Sequence, residues 1–519
     1  MNLVCSQRFW RIYMHGHFLN QTTSASVRRP SRGGKTLDSL LTGRIWVLAL
    51  LALGHAALGL VIKLSPWVVT VHAFSTLAFS LVWGTRPGKP ARTLLALCYI
   101  AGSEVLWRMV DTPPFLTWMF GKQAFILVIL CAFVRRRRFS QARLPLAYFL
   151  LLLPALIPTL ASVDLHYIPT IISTGYTCLL AIALSLTFFA DTKLSRDQVL
   201  NALCITVLPI IGVAYICYTS TFGAPQIDFE SSSNVDASGG FGPNQVSAML
   251  GFGSVCAFLC LLLGRTGLLV KAGLAMLAAW FAMQSALTFS RTGLYLSVMS
   301  CLVAGLPLLR RWRTGFMVIG VVLGFYLLSS YLLFPYLDQF TGGKLTARFE
   351  NTVGTGREEI VKSDFQIWAK HLLLGVGIGK AYSARREFLG HAAYPHTEYT
   401  RLVAEHGVFG ILAGCILFWI LIRACLSAPD PASRSIKWGA FIFGLLFMSV
   451  SATRLVVPAL AFGVVAASII PQQRFARRNR PASPQPEGSM RMAGLRFMRR
   501  TGLALGRTAV PKPSKMTAP

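Results

Sequence analysis

Long apolar runs separated by short polar segments dominate this chain. Because about 20 helical residues cross the roughly 30 Å hydrocarbon core of a bilayer, each run predicts a transmembrane helix. The runs lie at approximately 45–62, 67–84, 92–110, 115–134, 145–162, 168–190, 199–218, 245–263, 267–288, 293–309, 315–334, 407–424, 437–452 and 455–470. The pattern indicates an all-α polytopic membrane protein with about 12–14 transmembrane helices.

Composition excludes a soluble protein of this length. Of the 519 residues, 54% are hydrophobic and 13% are charged, and the mean hydropathy is +0.57. Soluble domains carry about a quarter charged residues. The 11 cysteines lie mostly in apolar runs and form no C-x-x-C pair. They are typical of small buried hydrophobes, and neither a disulfide scaffold nor a zinc site is indicated.

The net charge of +31 indicates orientation. It does not indicate nucleic-acid binding, since the total number of charges is too low for a groove-reading domain. With the N-terminus in the cytoplasm, the basic residues gather on the inner side. The inner segments are 1–44, 85–92, 135–143, 191–197, 265–271, 310–313, 423–437 and 471–519. They carry the whole net charge, because basic and acidic residues are equal in number elsewhere. Both termini are therefore predicted to be cytoplasmic.

The same pattern divides the chain into five parts. No cleavable signal sequence precedes the first run, which is expected to remain as an anchor. We found no internal repeat, which weakens a transporter interpretation. The expected parts are a basic cytoplasmic segment at 1–44, transmembrane helices 1–11 at 45–334, a large periplasmic loop with catalytic motifs at 335–406, C-terminal transmembrane helices at 407–470 and a disordered basic tail at 471–519.

The large loop is the first place to look for chemistry, since long loops are usually functional. Thr355 and Glu358 have the spacing of a capping box, and apolar residues follow at helical spacing. An amphipathic helix is predicted from about 356 to 371. A second helix is predicted from about Thr397 into the following span, with His396 at its start.

Charged residues at membrane depth are costly and usually paired or functional. Arg291 and Arg454 lie at outer span ends, where interfacial snorkelling is the alternative to a functional role. Glu104 and Arg108 are four residues apart, which predicts a structural ion pair. Lys122 is expected to face a polar cavity.

Charged residues also cluster within the loop. Glu398, Arg401 and Glu405 share one helical face, so a surface salt ladder is the plain alternative to a functional role. His391 and His406 are typical of ordinary loop or cap histidines. His396 follows a proline at a helix start and is the stronger candidate for a base.

Taken in order, several of these motifs resemble the bacterial O-antigen ligase and polymerase superfamily. The resemblance covers about 240–420 and rests on five elements. These are Gly240-Phe-Gly-Pro-Asn244-Gln, Ser290-Arg291-Thr-Gly293, Thr355-Gly-Arg357, Gly375-Val-Gly-Ile-Gly379 and Pro395-His396-Thr-Glu-Tyr-Thr-Arg401-Leu-Val-Ala-Glu-His-Gly407. Thr397 departs from the Asn or Ser frequent in the family, which brings the motif closer to exopolysaccharide-type polymerases.

The resemblance implies an inner-membrane, metal-independent glycosyltransferase of surface or exopolysaccharide biosynthesis. Such enzymes transfer or polymerise an undecaprenyl-diphosphate-linked glycan at the periplasmic face, with a glycan or lipid as acceptor. No cofactor and no metal is expected. A chain-length regulator or a flippase is an expected protein partner, and nucleic acid is not.

The resemblance also assigns roles to residues. Arg291 and Arg357 match the family's arginines and are expected to hold the diphosphate. His396 matches its loop histidine and is expected to act as the base, with Glu398 or Glu405 orienting it. Further substrate contacts are expected from four residues: Arg401, Arg386, Arg454 and Asn244.

Two other classes stay open. A polysaccharide flippase or exporter without glycosyl-transfer activity would also be polytopic, basic and free of cofactors. It would place its charges in a central cavity, whereas this chain concentrates them in one loop. A structural scaffold would not explain the arginines and His396 together.

Overall fold

The computed structural model describes residues 45–110, 116–136, 143–223, 227, 229, 232–310, 312–350, 356–450 and 454–471. The predicted N-terminal segment 1–44, Thr355 and all of the predicted tail beyond residue 471 lie outside them. Within the described part, a helix lies at each of the fourteen predicted positions, and ten helices are long and apolar enough to cross a membrane. The all-α polytopic fold is confirmed.

Helices α1 to α12 occupy the first eleven predicted positions. Their bounds are α1 Ile45–Leu64, α2 Pro66–Phe79, α3 Pro90–Ser103, α4 Phe120–Val134, α5 Arg143–Leu152, α6 Leu156–Ser162, α7 Ile168–Ala190, α8 Arg196–Phe222, α9 Pro243–Leu263, α10 Leu268–Leu287, α11 Arg291–Leu309 and α12 Trp312–Leu328. Three short irregular turns accompany them: π-helical segments at Ser80–Gly84 and Ser329–Leu333 and a 3₁₀ turn at Leu106–Arg108.

The remaining helices cover the predicted loop and the last three spans. Their bounds are α13 Phe334–Phe340, α14 Lys344–Glu350, α15 Arg357–Lys370, α16 Ala381–Ala384, α17 Arg386–Leu389, α18 Glu398–Leu426, α19 Pro431–Val450 and α20 Val457–Ala466. The last predicted run ends in a strand instead of a helix. Strand β1, Lys193–Ser195, pairs in parallel with β2, Ser468–Ile470.

Two central helices form the core of the bundle. Helices α8 and α9 are buried along most of their length. Helix α8 packs against α1, α3 and α9, and α9 packs against α10 and α11. Glycines allow close crossings, as in membrane bundles generally: a Cβ on Gly293 of α11 would overlap the backbone of Ser247 on α9.

Helix α18 is broken within the segment that leads from the predicted loop into the membrane. Gly407 has φ 59° and ψ −139°, which interrupts the helical hydrogen bonds. The segment 372–379 lies against this break. Val376 N donates to the Ala404 carbonyl at 2.9 Å, and Val408 N donates to the Leu372 carbonyl at 2.9 Å. The freed backbone groups are thus satisfied inside the protein, as buried backbone groups generally are.

The same segment also enters a second break. The predicted run 145–162 is divided into α5 and α6, and Ile378 N donates to the Ala155 carbonyl between them. The glycines of Gly375-Val-Gly-Ile-Gly379 are needed for this fit, since Gly375, Gly377 and Gly379 all have positive φ. A Cβ on Gly375 would overlap the backbone of Glu405 and His406. This run therefore anchors the loop to the bundle, in addition to following α15.

We predict that Gly375→Ala destabilises the protein strongly, because it adds a backbone overlap to the cost of a left-handed conformation, which is about 1–2 kcal/mol. Gly390→Ala is the matched control: Gly390 has φ 76°, but a Cβ there meets nothing within 4 Å. The measurement is the melting temperature in detergent, followed by circular dichroism. Equal shifts for the two variants would contradict this account of the anchor.

Candidate active site

A sharp turn places Arg291 at the first position of α11. Phe289, in the turn before it, has φ 55° and is the only non-glycine among the described residues with a positive φ. Its ring is buried and stacks on Phe229 at 5.1 Å between centroids. A bulky residue in this conformation is unusual, and such strain clusters at functional sites.

The neighbouring residues of the motif hold this turn against the start of α9. Ser290 Oγ donates to Asn244 Oδ1 at 2.7 Å, so the Ser290 hydroxyl does not cap α11. Ser247 Oγ donates to the Ser290 carbonyl at 2.9 Å and accepts from Gly293 N at 2.9 Å. Asn244 therefore lies beside Arg291, and its described bond positions the turn.

Arg357 is likewise the first residue of its helix, α15. The helix begins after Gly356, which has φ 69° and offers no side-chain cap, and the cap predicted from Thr355 lies outside the described residues. The amphipathic helix predicted at 356–371 is confirmed. Both arginines thus lie where helix N–H groups and the helix dipole favour an anion.

Arg348, in α14, joins these two arginines, and our sequence interpretation missed it. Its Nε donates to the Phe289 carbonyl at 3.0 Å. Burial lowers the pKa of Arg348, and the charges of Arg291 and Arg357 lower it further. Burial and Arg291 act in the same direction on the pKa of Arg357. Three guanidinium groups therefore converge from three helices that are separate in sequence.

His396 lies half-buried next to this cationic group. Burial lowers its pKa to about 4, with further lowering by the charges of Arg357, Arg454 and Arg385. Arg454 Nη2 donates to the carbonyl of the preceding Pro395 at 3.3 Å. The imidazole is thus neutral at ordinary pH. The site assembles Arg291, Arg348, Arg357, Arg454 and His396.

The ion pair predicted in the third span is confirmed, and it holds the segment of Arg454 in place. Arg108 Nη2 lies 2.5 Å from Glu104 Oε1. Arg108 Nη1 also donates to the Arg454 carbonyl at 3.0 Å and to Gln245 Oε1 at 3.2 Å. The other Glu104 oxygen accepts from Val456 N at 2.7 Å. The pair therefore ties the segment of Arg454 to α3 and α9.

Lys122 in α4 does not reach this site. Its side chain is buried, with Nζ 5.0 Å from the centre of the Trp118 ring and 3.7 Å from the sulfur of Met119. Glu104, Arg108 and Cys178 are also its electrostatic neighbours, so Lys122 lies among aromatic, sulfur and ion-paired groups.

Glu398, Arg401 and Glu405 form an ion-paired group in the first turns of α18, and it is buried instead of lying on the surface. Arg401 binds both oxygens of Glu398, one of them from Nε at 2.9 Å. Its Nη1 donates to Glu405 Oε2 at 2.9 Å and to the Gly175 carbonyl of α7 at 2.9 Å. The described bonds of Glu398 are thus to Arg401, and they fix the helix start that follows His396.

The two neighbouring arginines 385 and 386 have opposite environments. Arg385 is fully buried and bonds Asp364 of α15, with Nη2 to Oδ1 at 2.6 Å. The other oxygen of Asp364 accepts from Thr400 Oγ1 of α18 at 2.6 Å. Arg386 is exposed. The sequence did not distinguish them, because their difference depends on the packing of α15 on α18.

His391 and His406, two of the three other histidines in the predicted loop, differ in their environments. His391 is exposed, and His406 is buried at the break in α18. In the described part of the chain, no group of three His, Cys, Asp or Glu residues is arranged to hold a metal ion.

A family model matches part of the chain. Residues 276–415 match the family model described as O-antigen ligase (Wzy_C). The match supports the O-antigen ligase superfamily, so the resemblance predicted from the motifs is confirmed, and it indicates a ligase- or polymerase-like membrane enzyme. The matched segment includes Arg291, Arg357 and His396 and excludes Asn244 and Arg454. No curated protein matches the chain.

We predict that Arg385→Met destabilises the protein by about 3–5 kcal/mol, since it leaves Asp364 buried without its ionic partner. Arg386→Met is the matched control for stability, because that side chain is exposed. Thermal unfolding of the two purified variants in detergent makes the comparison. Equal stability would show that the Asp364–Arg385 pair does not hold α15 on α18.

Proposed function

We propose that the protein is an inner-membrane glycosyltransferase that transfers or polymerises an undecaprenyl-diphosphate-linked glycan at the periplasmic face. The observation that carries this proposal is the convergence of Arg291, Arg348 and Arg357 beside the neutral His396. A diphosphate leaving group needs such concentrated positive charge, and guanidinium groups bind phosphate oxygens in bidentate fashion while staying protonated. The family match supports action on lipid-linked glycans.

In the proposed reaction, an acceptor hydroxyl attacks the anomeric carbon of the lipid-linked sugar. The bond from this carbon to the diphosphate oxygen breaks, and its electron pair stays on the diphosphate, where the arginines stabilise the charge. His396 takes the proton of the hydroxyl and later releases it to water. Arg454 and Asn244 contact the donor or hold the site around it.

Donor binding should also activate the base. In the free enzyme, Arg357 and Arg454 lower the pKa of His396. The negative charge of a bound diphosphate would offset that of the arginines and raise the pKa of His396 toward the working pH, where a general base is most effective.

Two expected roles take a modified form. Glu398 was expected to orient the imidazole, but its described bonds favour an indirect role, in which Arg401 and Glu398 hold the helix start behind His396. Arg386 remains an expected substrate contact, and the role expected of Arg401 becomes an indirect one. The exposed Arg386 could reach a glycan, whereas the buried Arg401 would act through its two glutamates.

A flippase remains the alternative. The charges of such a protein would line a path across the bundle, and the buried ion pairs of Glu104 and Arg401 are the feature that favours it. A flippase would not need His396 as a base.

We predict that Arg291→Ala, Arg357→Ala and His396→Ala each reduce glycan transfer by roughly a hundredfold or more. Each variant is expressed in a natural host lacking the native copy, with membrane levels confirmed, and its surface glycan is resolved by gel electrophoresis. Arg265→Ala, an exposed arginine outside the site, is the control.

The accumulated intermediates distinguish the functions. Single lipid-linked repeats would indicate a polymerase, and finished lipid-linked polymer would indicate a ligase. Glycan of normal amount and length in all three variants would refute the catalytic assignment. Failure of His396→Ala alone to reduce transfer would favour the flippase.

We also predict a pH dependence. The base must be neutral, so activity is lost as the pH falls through the pKa of His396, near 4 in the free enzyme. This acid limb appears in the pH profile of kcat/KM. The acid limb of the kcat profile lies at higher pH, since the bound donor raises the pKa of His396. Arg357→Gln removes a positive charge and should move the limb of kcat/KM to higher pH. A limb that stays in place would contradict the coupling.

A further inference from the structure

Two exposed tyrosine rings form a pair beside the candidate base. Tyr382 is in α16, and Tyr394 lies two residues before His396. The centres of the two rings are 4.4 Å apart, with 36° between the ring planes. Tyr394 is 65% exposed and Tyr382 is 39% exposed. Since packing covers so little of Tyr394, the stability of the fold does not account for its ring.

Two arginines hold the backbone on either side of Tyr394. Arg385 Nη1 donates to the Ala393 carbonyl at 2.8 Å, and Arg454 Nη2 donates to the Pro395 carbonyl at 3.3 Å. The guanidinium carbon of Arg454 also lies 5.8 Å from the centre of the Tyr394 ring, within the range of a cation–π contact. The exposed ring therefore belongs to a fixed segment, and such preorganisation lowers the entropy cost of binding a ligand.

An open aromatic ring on a fixed segment suits a sugar. One face of a pyranose ring carries mainly C–H bonds, which pack on an aromatic ring, while the sugar hydroxyls remain free to form hydrogen bonds. Tyrosine is amphipathic in the same way, with an apolar ring and a polar tip. A phosphate would bind elsewhere, since the face of an aromatic ring is negative and the guanidinium groups of the site are positive.

The position of the pair favours the acceptor over the donor. His396 must reach the acceptor hydroxyl whose proton it takes. Two residues of chain span at most about 7 Å, so a sugar ring on Tyr394 lies within reach of the imidazole. The diphosphate of the donor is expected at Arg291, Arg348 and Arg357, which come from other helices.

From these observations we propose that Tyr382 and Tyr394 bind a sugar ring of the acceptor glycan by stacking, and that this contact brings the acceptor hydroxyl to His396. The proposal rests on the proposed function and adds to it an acceptor site without charged side chains. The acceptor is then selected by the shape of one sugar face, because an axial hydroxyl on that face keeps the aromatic ring away.

The test uses two glycans that lack a diphosphate. One is the repeat oligosaccharide released by mild acid from the lipid-linked glycan of a host lacking the native copy. The other is the core oligosaccharide released in the same way from the lipopolysaccharide of that host. Binding to the purified full chain in detergent is titrated by saturation-transfer NMR. We expect one of the two to bind with a dissociation constant of about 1 mM or below. Absence of binding by both at about 10 mM would overturn the proposal.

Four variants then test the rings. Tyr394→Ala should weaken the binding at least about tenfold, and Tyr382→Ala at least about threefold. Tyr394→Phe should keep the dissociation constant within about threefold, because stacking needs the ring and not the hydroxyl. The matched control is Tyr336→Ala, which removes an exposed tyrosine of α13. Unchanged binding in a folded alanine variant of the pair would overturn the proposal, and so would an equal loss in Tyr394→Phe and Tyr394→Ala.

A transfer assay separates the acceptor from the donor. With the lipid-linked glycan at saturation, Tyr394→Ala should raise the KM of the added oligosaccharide at least about tenfold and keep kcat within about threefold. A rise in the KM of the lipid-linked donor alone would overturn the acceptor assignment.

The proposed function fails separately from the tyrosine pair. His396→Ala removes the base and leaves both rings in place, so it should stop transfer and still bind the oligosaccharide within about threefold of the unmodified affinity. Normal transfer by His396→Ala would refute the proposed function, whereas failure of the pair is seen in the oligosaccharide binding of the tyrosine variants.

Discussion

The insertion of residues 372–379 into the break of α18 is the constraint on which the site depends. In the sequence, His396 lies between this segment and α18. Its position is therefore defined only if the segment and the helix are both fixed. Backbone hydrogen bonds from Val376 to Ala404 and from Val408 to Leu372 fix them without relying on flexible side chains. These bonds also satisfy buried backbone groups that would otherwise cost about 1–3 kcal/mol each.

The charges of the protein follow two different principles. Around Arg401 and around Arg385, each guanidinium meets carboxylates inside the protein, and the result is a rigid connection between helices. Around Arg357, the neighbouring charges that lower the pKa values of Arg348 and Arg357 are those of other arginines. Clustered cations of this kind are typical of sites that bind an anionic ligand.

Local patterns predicted the helices well. The apolar runs located all fourteen helical positions, the start of α18 after Thr397 was placed correctly, and the spacing of Glu104 and Arg108 indicated their ion pair. These features depend on residues within one or two turns of each other. The same local rules placed α15, which was predicted at about 356–371 and lies at Arg357–Lys370.

Long-range features could not be predicted in this way. The approach of Arg348 to Phe289 joins residues 59 positions apart, and that of Arg108 to the Arg454 carbonyl joins residues 346 apart. The burial of the Arg401 group and the difference between Arg385 and Arg386 depend on which helix covers them. No periodicity reports such contacts, so the motif resemblance identified Arg291, Arg357 and His396 but not Arg348.

The Glu104–Arg108 pair has a consequence for how such proteins diverge. It belongs to the N-terminal half, yet it holds Arg454 near the C-terminal end, and both lie outside the segment 276–415 that matches the family. That segment is therefore not an interchangeable module. A chimera in which only this segment is exchanged between two relatives would contain the segment's own Arg291, Arg357 and His396. Its Arg454 and the residues that hold it would come from the other protein. A change at Glu104 or Arg108 would therefore also alter the segment of Arg454, although none of these residues lies in the matched segment.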